Sequence, residues 1–249
     1  HRFVSDASIT ATVSSDNAVD GFSVGRSTAG VSFERIQARN NGRNGISMDG
    51  RPLADGPNAV GTAVDSYGGS QVTAGAFEDN TRYGMEVLGG TSVAVSDNRV
   101  AGDGMGIVAA DGTKGVTITG NTLLDNARQA VAVRDGGVTA EVKANIIAGG
   151  DTGIYIRDAT ADVTGNTLER ISNHGITLLG PVPQTTVTGN TGAGNGSTAI
   201  WSEASAGAIL GENDVLAWAP AYTVDRMVKS VFQPLTFIWF VLAALLLVT

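Results

Sequence analysis

Four side chains of this sequence could together carry out proton transfer beside a carboxylate. Arg134 and Arg157 stand 23 residues apart, and each is followed by an aspartate. Two guanidinium groups can hold a carboxylate through paired hydrogen bonds, which acidifies the proton on the neighbouring carbon. His174 could then act as the base, and Tyr155 could supply or remove the second proton. We therefore predict His174 and Tyr155 as catalytic residues and Arg134 and Arg157 as substrate-binding residues.

An alternative interpretation of the same arginines is structural. Arg134-Asp135 and Arg157-Asp158 would lie on neighbouring rungs of a repeat, with Asp111 one rung earlier. Alternating charges at such positions form surface ion pairs, each of which contributes about 0–1 kcal/mol. The sequence leaves both interpretations open.

Three large aromatic residues add a possible binding surface. Tyr83, Tyr155 and Trp201 occur at positions where most of the equivalent residues are small. Aromatic rings can stack on the apolar faces of sugars, so we also predict Tyr83 and Trp201 as substrate-binding residues. The alternative is that these rings are unrelated exposed aromatics of the kind that many surfaces carry.

These residues are spaced by a repeat that runs through most of the chain. A pair made of Gly or Ala and a large apolar residue recurs at intervals of 22–24 residues, apart from one interval of 39. An asparagine recurs in phase, at intervals of 21–24 residues. Two markers with one period are typical of a solenoid. The pairs are Gly21-Phe22, Gly45-Ile46, Gly84-Met85, Gly106-Ile107, Ala130-Val131, Gly153-Ile154, Gly175-Ile176 and Ala199-Ile200, and the asparagines are Asn98, Asn121, Asn145, Asn166, Asn190 and Asn213.

Each repeat has the pattern of three short strands. The pair opens a strand with alternate apolar residues, such as Ile154 and Ile156, and a Gly-rich turn follows. A second strand leads into the asparagine, and an apolar residue two positions later indicates a third strand. Three strands per coil of about 23 residues predict an all-β, right-handed parallel β-helix of about eight or more coils over residues 1–216.

We expect the asparagines to form a structural ladder. Equivalent residues of stacked coils lie about 4.8 Å apart, so the amide of Asn145 should hydrogen-bond those of Asn121 and Asn166. We also expect each asparagine to occupy the tight turn itself, because Asn tolerates left-handed backbone geometry.

Two segments carry a family resemblance. VTITGNTLLDNARQAVAV and ADVTGNTLERISNHGITL resemble coils of carbohydrate-binding and sugar-hydrolase β-helix domains, in particular mannuronan C5-epimerases of alginate-producing bacteria. The resemblance covers about residues 9–216 and implies a bacterial protein whose solenoid faces a polysaccharide, with C5-epimerase-like or lyase-like activity if it is an enzyme. The Asp-Pro-His-Asp motif of the epimerases is absent, and only Asn173-His174-Gly175-Ile176 is similar to the family's His-Gly-Ile strand start.

Composition limits the partners and cofactors. The formal net charge is −8 and no basic patch is present to bind phosphates, so we expect no nucleic-acid partner. The chain has 34 glycines and no cysteine, as in a turn-rich β protein without disulfides. We expect no cofactor or metal. Asp111, Asp135 and Asp158 could meet Ca²⁺, but a calcium-binding nonapeptide repeat is absent.

One interval of the repeat is 15 residues longer than the usual 24, and the surplus lies between Asp49 and Gly69. Insertions in solenoids form loops on one face. Pro52 and Pro57 would stiffen this loop, so we predict a lid or a docking surface that overhangs the aromatic and arginine positions.

The C-terminal part of the chain has a different character. Residues 234–249 read PLTFIWFVLAALLLVT and carry no charge. A spanning helix needs about 20 apolar residues, so we predict a transmembrane helix over residues 234–249 that continues past the last residue, after a juxtamembrane linker over residues 217–233. Trp218, Tyr222 and Trp239 could form an interfacial belt. The alternative is a core helix or strand that caps the solenoid.

These observations predict a membrane-anchored β-helix, with its solenoid outside the cytoplasm, that binds or modifies a polysaccharide in cell-envelope or exopolysaccharide assembly. Its partners would be a polysaccharide and the membrane. A second hypothesis is a non-catalytic scaffold that docks onto a membrane glycosyltransferase. The missing epimerase motif favours the scaffold, whereas the aromatic residues and the arginines favour polysaccharide binding.

Overall fold

The computed structural model describes residues 4–51, 67–204 and 206–219 of the chain. Within these residues the regular secondary structure is all β, and every strand pairs in parallel with the equivalent strand of the next coil. Each full coil contributes one strand to each of three sheets. The predicted all-β parallel solenoid is therefore confirmed.

The three sheets are named sheet 1, sheet 2 and, for the strands that carry the Gly/Ala-apolar pairs, the pair sheet. Sheet 1 contains β1 (Ser8–Thr10), β4 (Ser32–Glu34), β7 (Gln71–Thr73), β10 (Ala94–Ser96), β13 (Val116–Thr119), β16 (Thr139–Lys143), β19 (Thr160–Thr164), β22 (Thr186–Thr188) and β25 (Ile209–Leu210). Sheet 2 contains β2 (Val13–Ser15), β5 (Gln37–Arg39), β8 (Ala76–Glu78), β11 (Arg99–Ala101), β14 (Thr122–Leu124), β17 (Ile146–Ala148), β20 (Thr167–Ile171), β23 (Thr191–Gly194) and β26 (Asp214–Trp218). The pair sheet contains β3 (Phe22–Val24), β6 (Asn44–Asp49), β9 (Tyr83–Leu88), β12 (Met105–Ala110), β15 (Gln129–Arg134), β18 (Thr152–Arg157), β21 (His174–Leu179) and β24 (Thr198–Ser202).

The core of the solenoid is built from columns of apolar side chains. Ile107, Val131, Ile154 and Ile176 are partners on successive strands of the pair sheet, and each is fully or almost fully buried. Parallel, in-register coils place equivalent side chains on top of one another, so a period of about 23 residues yields a continuous interior. Alternate residues of the same strands face outward.

The predicted asparagine ladder is confirmed. The Oδ1 atom of Asn145 accepts hydrogen bonds from the backbone amide and the Nδ2 atom of Asn121, at 2.9 and 3.0 Å. Asn145 repeats this arrangement on Asn166. Its Nδ2 atom also donates to the carbonyl of Ile118 at 2.8 Å. Each amide therefore satisfies buried backbone groups as well as its neighbour, and the ladder extends from Asn98 to Asn213.

The expected backbone geometry of the ladder was wrong by one residue. The left-handed conformation belongs to the residue before the asparagine, such as Asp97 (φ 56°), Gly120 (φ 67°) and Ala144 (φ 53°). The turn therefore needs a residue that tolerates positive φ before the ladder, while the asparagine itself is required for its side-chain amide.

A second ladder was missed in the sequence. Asn17 donates to Asn41 Oδ1 at 2.9 Å, Asn41 to Asn80 Oδ1 at 2.8 Å, and Asn80 to Asp103 Oδ1 at 2.9 Å. The backbone amide of Asp103 donates to Asn126 Oδ1 at 3.2 Å. The available signal was an asparagine four residues before a pair, at Asn17, Asn41, Asn80 and Asn126, but Asp103 breaks the pattern.

We predict that Asn145→Leu lowers the free energy of unfolding by about 1–3 kcal/mol, because two donors of Asn121 and the carbonyl of Ile118 lose their partner. Chemical denaturation would measure the loss. The control is Asn195→Leu, at an exposed position, where a change within about 0.5 kcal/mol is expected. Equal stability of the two variants would contradict the ladder's role.

The last described coil continues into the segment predicted as a linker. β26 ends at Trp218, two residues beyond the predicted boundary at residue 216. The Trp218 indole packs against the core, and its Nε1 atom donates to the carbonyl of Gly196 at 3.1 Å. Trp218 is therefore a half-buried residue of the solenoid, and its place in an interfacial belt stays a prediction.

Several predictions lie outside the described residues. These are the body of the insertion at residues 52–66, Tyr222 and Trp239, most of the linker, and the predicted transmembrane helix at residues 234–249. In the part of the chain that the structure describes, no helix has the length and apolar character to span a membrane.

Candidate functional site

The outer face of the pair sheet carries the residues predicted to do chemistry. In a six-residue pair strand such as β18, Ile154 and Ile156 enter the core. Tyr155 and Arg157 alternate with them and belong to the outer face. The first residue of a pair strand departs from this alternation and also lies on the outer face, since Tyr83 and Met105 at that position pack with Val108 and Ala132 in a cluster separate from the core. Parallel register therefore gives three outward columns, which run through the first, fourth and sixth residues of successive pair strands.

His174 and Trp201 form a stacked pair at the C-terminal end of this face. Their ring centroids are 5.9 Å apart, with an interplanar angle of 30°. The Nδ1 atom of His174 lies 2.7 Å from the hydroxyl of Thr198 on the neighbouring strand. Trp201 is 38% exposed. The arrangement fixes the imidazole and leaves part of the indole surface available.

Tyr155 and Trp201 lie in one column with Thr177 between them. Tyr155 is the register partner of Thr177, and Thr177 is the partner of Trp201. Two strand steps separate the rings by about 10 Å along the sheet. The Thr177 hydroxyl is buried and has no hydrogen-bond partner within the described coils. The column therefore offers two aromatic side chains with an unsatisfied polar group between them.

The predicted acid–base pair is not adjacent in the sheet. His174 is opposite Thr152, three residues before Tyr155 on β18. That offset corresponds to about 11 Å between the Cα positions of His174 and Tyr155. The two side chains thus occupy different columns, and their predicted catalytic roles stay predictions.

Tyr83 lies in the expected outward column but is buried. It is 6% exposed and packs with Met105, Val108 and Ala132 in an apolar cluster on the outer face. The guanidinium carbon of Arg82 lies 4.5 Å from the centroid of its ring. The ring has little free surface for stacking, and its substrate-binding role also stays a prediction.

Arg134 and Arg157 are register partners, as the repeat predicts. Both contact Asp135, at 3.4 Å from Arg134 Nη1 to Oδ2 and 3.4 Å from Arg157 Nη2 to Oδ1. The pKa of Arg157 is raised, chiefly by its electrostatic interaction with Tyr155 and further by its hydrogen bond to Asp135, whereas desolvation lowers it. The geometry favours the ion-pair interpretation, and the binding of a substrate carboxylate stays a prediction.

The three aspartates considered for Ca²⁺ have a structural explanation. Asp111, Asp135 and Asp158 follow successive pair strands and adopt positive φ values of 54°, 74° and 51°. Aspartate tolerates this turn geometry better than most residues. Asp111 also pairs with Arg51. Among the described residues no group of three or more His, Cys, Asp or Glu side chains is arranged to hold a metal ion.

Sequence reasoning overlooked a polar cluster at the N-terminal end of the outer face. Glu86 of β9 accepts hydrogen bonds from Asn44 Nδ2 at 2.8 Å and from Ser47 Oγ at 3.1 Å, both on the same Oε2 atom. All three side chains are buried. The available signal was a carboxylate in an outward column next to Ser47, with Asn44 in the adjacent outward column.

Comparison with known proteins identifies the fold family. The family described as right handed beta helix region matches residues 3–147 and, in a second overlapping match, residues 55–192. The two matches together span most of the chain. No curated protein matches it significantly.

Proposed function

Since the chain belongs to the family of right handed beta helix regions, we propose that the outer face of its pair sheet binds a polysaccharide. The observation that carries this proposal is the half-exposed Trp201, held by stacking on His174. Tyr155 lies two rungs away in the same column. Rings fixed along one line of a solenoid suit successive units of a polymer, because each ring can cover an apolar sugar face.

The proposal extends to the setting in which the face works. We infer a membrane-anchored protein, with its solenoid outside the cytoplasm, that takes part in cell-envelope or exopolysaccharide assembly. This part rests on the uncharged run at residues 234–249, which has the composition of a membrane segment. A version of the protein that ends at residue 219 should accordingly lose its affinity for membranes and keep its β-sheet circular dichroism.

His174 and Tyr155 bear on whether the protein chemically modifies its ligand. Epimerase-like or lyase-like chemistry would use His174 as base and Tyr155 as the second proton carrier. His174 Nδ1 is engaged by Thr198, so proton transfer would fall to Nε2. Because Asp135 occupies the arginine pair, binding is the function that the geometry supports best.

A second candidate function is a non-catalytic scaffold for a membrane glycosyltransferase. The ion pairs that Asp135 forms with Arg134 and Arg157 favour it, because arginines satisfied by the protein itself are less available to a substrate carboxylate. The two candidates differ in what the aromatic column contacts, which is a glycan in one case and a protein partner in the other.

We predict that the double variant Tyr155→Ala/Trp201→Ala binds polysaccharide extracted from the source cells about 30-fold more weakly than the unchanged protein. Two aromatic contacts are together worth about 2 kcal/mol. Affinity electrophoresis would measure the change. Ile146→Ala, which removes an exposed apolar side chain from sheet 2, should leave binding intact.

Two further outcomes decide between the candidates. If the double variant binds glycan normally but no longer co-purifies with a glycosyltransferase, the scaffold function is correct and polysaccharide binding by the aromatic column is not. His174→Ala should abolish turnover of the bound polymer only if the protein is an enzyme, and should otherwise leave the polymer's composition unchanged.

A further inference from the structure

The N-terminal half of the outer face holds a carboxylate that no cation of the described residues pairs with. Glu86 is 6% exposed, and Asn44 is fully buried beside it. Asn44 and Ser47 both donate to Oε2 of Glu86. No described residue donates a hydrogen bond to its other oxygen, Oε1. A buried carboxylate normally gathers donors on both oxygens or pairs with a cation.

Two nearby arginines are committed to other carboxylates. Arg43 pairs with Asp20, and Arg51 pairs with Asp49 and Asp111. The pKa of Arg43 is raised chiefly by its hydrogen bond with Asp20, and that of Arg51 by its hydrogen bond with Asp49, with Glu86 the smallest contribution to each. Among the described coils no ion pair with Glu86 is formed.

An unsatisfied acceptor lies next to this carboxylate. The Oδ1 atom of Asn44 is buried, and none of the residues that the structure describes donates a hydrogen bond to it. It belongs to the amide whose nitrogen donates to Glu86, so the amide orientation is fixed by that bond. A buried acceptor without a donor among the described residues therefore lies beside the Glu86 carboxylate, and a ligand that supplies donors would bond to it and to Oε1.

We propose that Glu86 and Asn44 form a subsite for a sugar unit that presents hydroxyl or ammonium donors and carries no negative charge. This proposal rests on the polysaccharide binding proposed above and specifies which polymers are accepted. Glu86, Val108, Ala132 and Tyr155 are consecutive register partners, so the subsite lies about 14 Å from Tyr155 along the same column. The subsite and the two aromatic rings thus share one column of the outer face, and Val108 and Ala132 between them are fully buried.

The charge of the subsite determines specificity. A uronate carboxylate placed against Glu86 would be repelled in a poorly solvated site, whereas a hydroxyl or an ammonium group would gain a charge-assisted hydrogen bond. The formal net charge of −8 acts in the same direction. The subsite thus selects neutral and amino-sugar polymers over polyuronates, in contrast to the substrate that the resemblance to mannuronan epimerases implies.

The experiment compares three polymers of matched length, namely a neutral β-glucan, a glucosamine polymer and a polyuronate, binding to the full chain and to Glu86→Gln. We expect the unchanged protein to bind the first two more tightly than the polyuronate. Glu86→Gln should lose about tenfold on the glucosamine polymer, because one charge-assisted bond is lost, and should gain several-fold on the polyuronate. Glu141→Gln is the matched control, since Glu141 is exposed on sheet 1, and it should leave all three affinities unchanged.

The outcomes separate this proposal from the one on which it rests. If Glu86→Gln fails to fold, as judged by circular dichroism, Glu86→Asp serves instead and must keep the preference against polyuronate. Equal polymer preference in Glu86→Gln and the unchanged protein would overturn the subsite. Polysaccharide binding by the aromatic column would still stand in that case if Tyr155→Ala/Trp201→Ala binds weakly. Absence of binding to all three polymers by the unchanged protein would overturn the subsite as well.

Discussion

Replacing Asp103 by Asn is expected to raise the free energy of unfolding by about 4 kcal/mol above pH 7 and to change it little near pH 4. Asp103 occupies an asparagine position in the second ladder. The equivalent glycines Gly45 and Gly84 give matching reference points on successive rungs. Asn80 Nδ2 lies 2.9 Å from the position of a Cβ built on Gly45, and Asp103 Oδ2 lies 2.7 Å from that of a Cβ built on Gly84. Oδ2 of Asp103 therefore stands where the other rungs have an amide donor.

The surroundings of Asp103 favour protonation of its Oδ2 atom. Oδ2 is buried and has no hydrogen-bond partner among the described residues. The next rung offers the acceptor Oδ1 of Asn126, which already accepts a hydrogen bond from the backbone amide of Asp103. Burial raises the pKa of Asp103 to about 7. The hydrogen bonds from Asn80 lower it, and the charges of Asp79 and Glu78 raise it further. The protonated acid can donate as an asparagine would.

The sign of the pH dependence follows from the two states of the protein. Between the ordinary value of 3.8 and about 7 the folded protein holds a proton that the unfolded chain has lost, so stability falls as pH rises through this window. The difference between the two values corresponds to about 4 kcal/mol. Asparagine at position 103 carries its donor at every pH and removes this loss.

Urea denaturation at pH 4 to 8 would test the prediction. Asp162→Asn, at an exposed position of sheet 1, should leave the pH profile of the unchanged protein as it is. If Asp103→Asn instead shows the same fall in stability between pH 4 and pH 7 as the unchanged protein, Asp103 does not carry the proton.

Trp218→Ala is expected to destabilise the solenoid by about 3 kcal/mol. The indole lies over glycines of the last coils, since a Cβ on Gly194 would approach its ring to 2.7 Å and one on Gly175 to 3.1 Å. No larger side chain fits beneath it, and the alanine variant leaves this space empty. The lost hydrogen bond to the Gly196 carbonyl adds to the cost.

The chain supplies a matched control in Trp201→Ala. Trp201 lies on the outer face and is partly exposed, so the same substitution should cost no more than about 1 kcal/mol. Thermal unfolding followed by circular dichroism would compare the two variants. Equal shifts of the melting temperature would mean that the packing of Trp218 against the core contributes no more stability than the exposed Trp201.

The sequence predicts the fold well because the fold is periodic. Each coil must bury the same positions, so the pairs and the Asn98–Asn213 ladder repeat often enough to be recognised without a structure. The second ladder escaped detection because Asp103 stands in it and because the insertion separates Asn41 from Asn80. The assignment of left-handed geometry to Asn145 failed because residue type alone does not separate the turn residue from its neighbour, Ala144.

The candidate site was predicted less completely because side-chain exposure depends on neighbours in adjacent coils. Tyr83 has the spacing of an outward residue, but Met105 on the next strand covers it. Glu86 appears in the same periodic columns, yet its place in a polar cluster becomes evident only when Asn44 and Ser47 are seen to donate to its Oε2 atom. Periodicity assigns a face, and packing decides which residues of that face are available.

The most direct test of polysaccharide binding by the outer face is fluorine NMR of the protein labelled with fluorotryptophan, during titration with a bound glycan. The chain has three tryptophans, and single Trp→Phe variants would assign their signals. We predict that the Trp201 resonance shifts on saturation while that of Trp218, packed against the core, stays in place. An unchanged Trp201 resonance with the glycan bound would contradict the account.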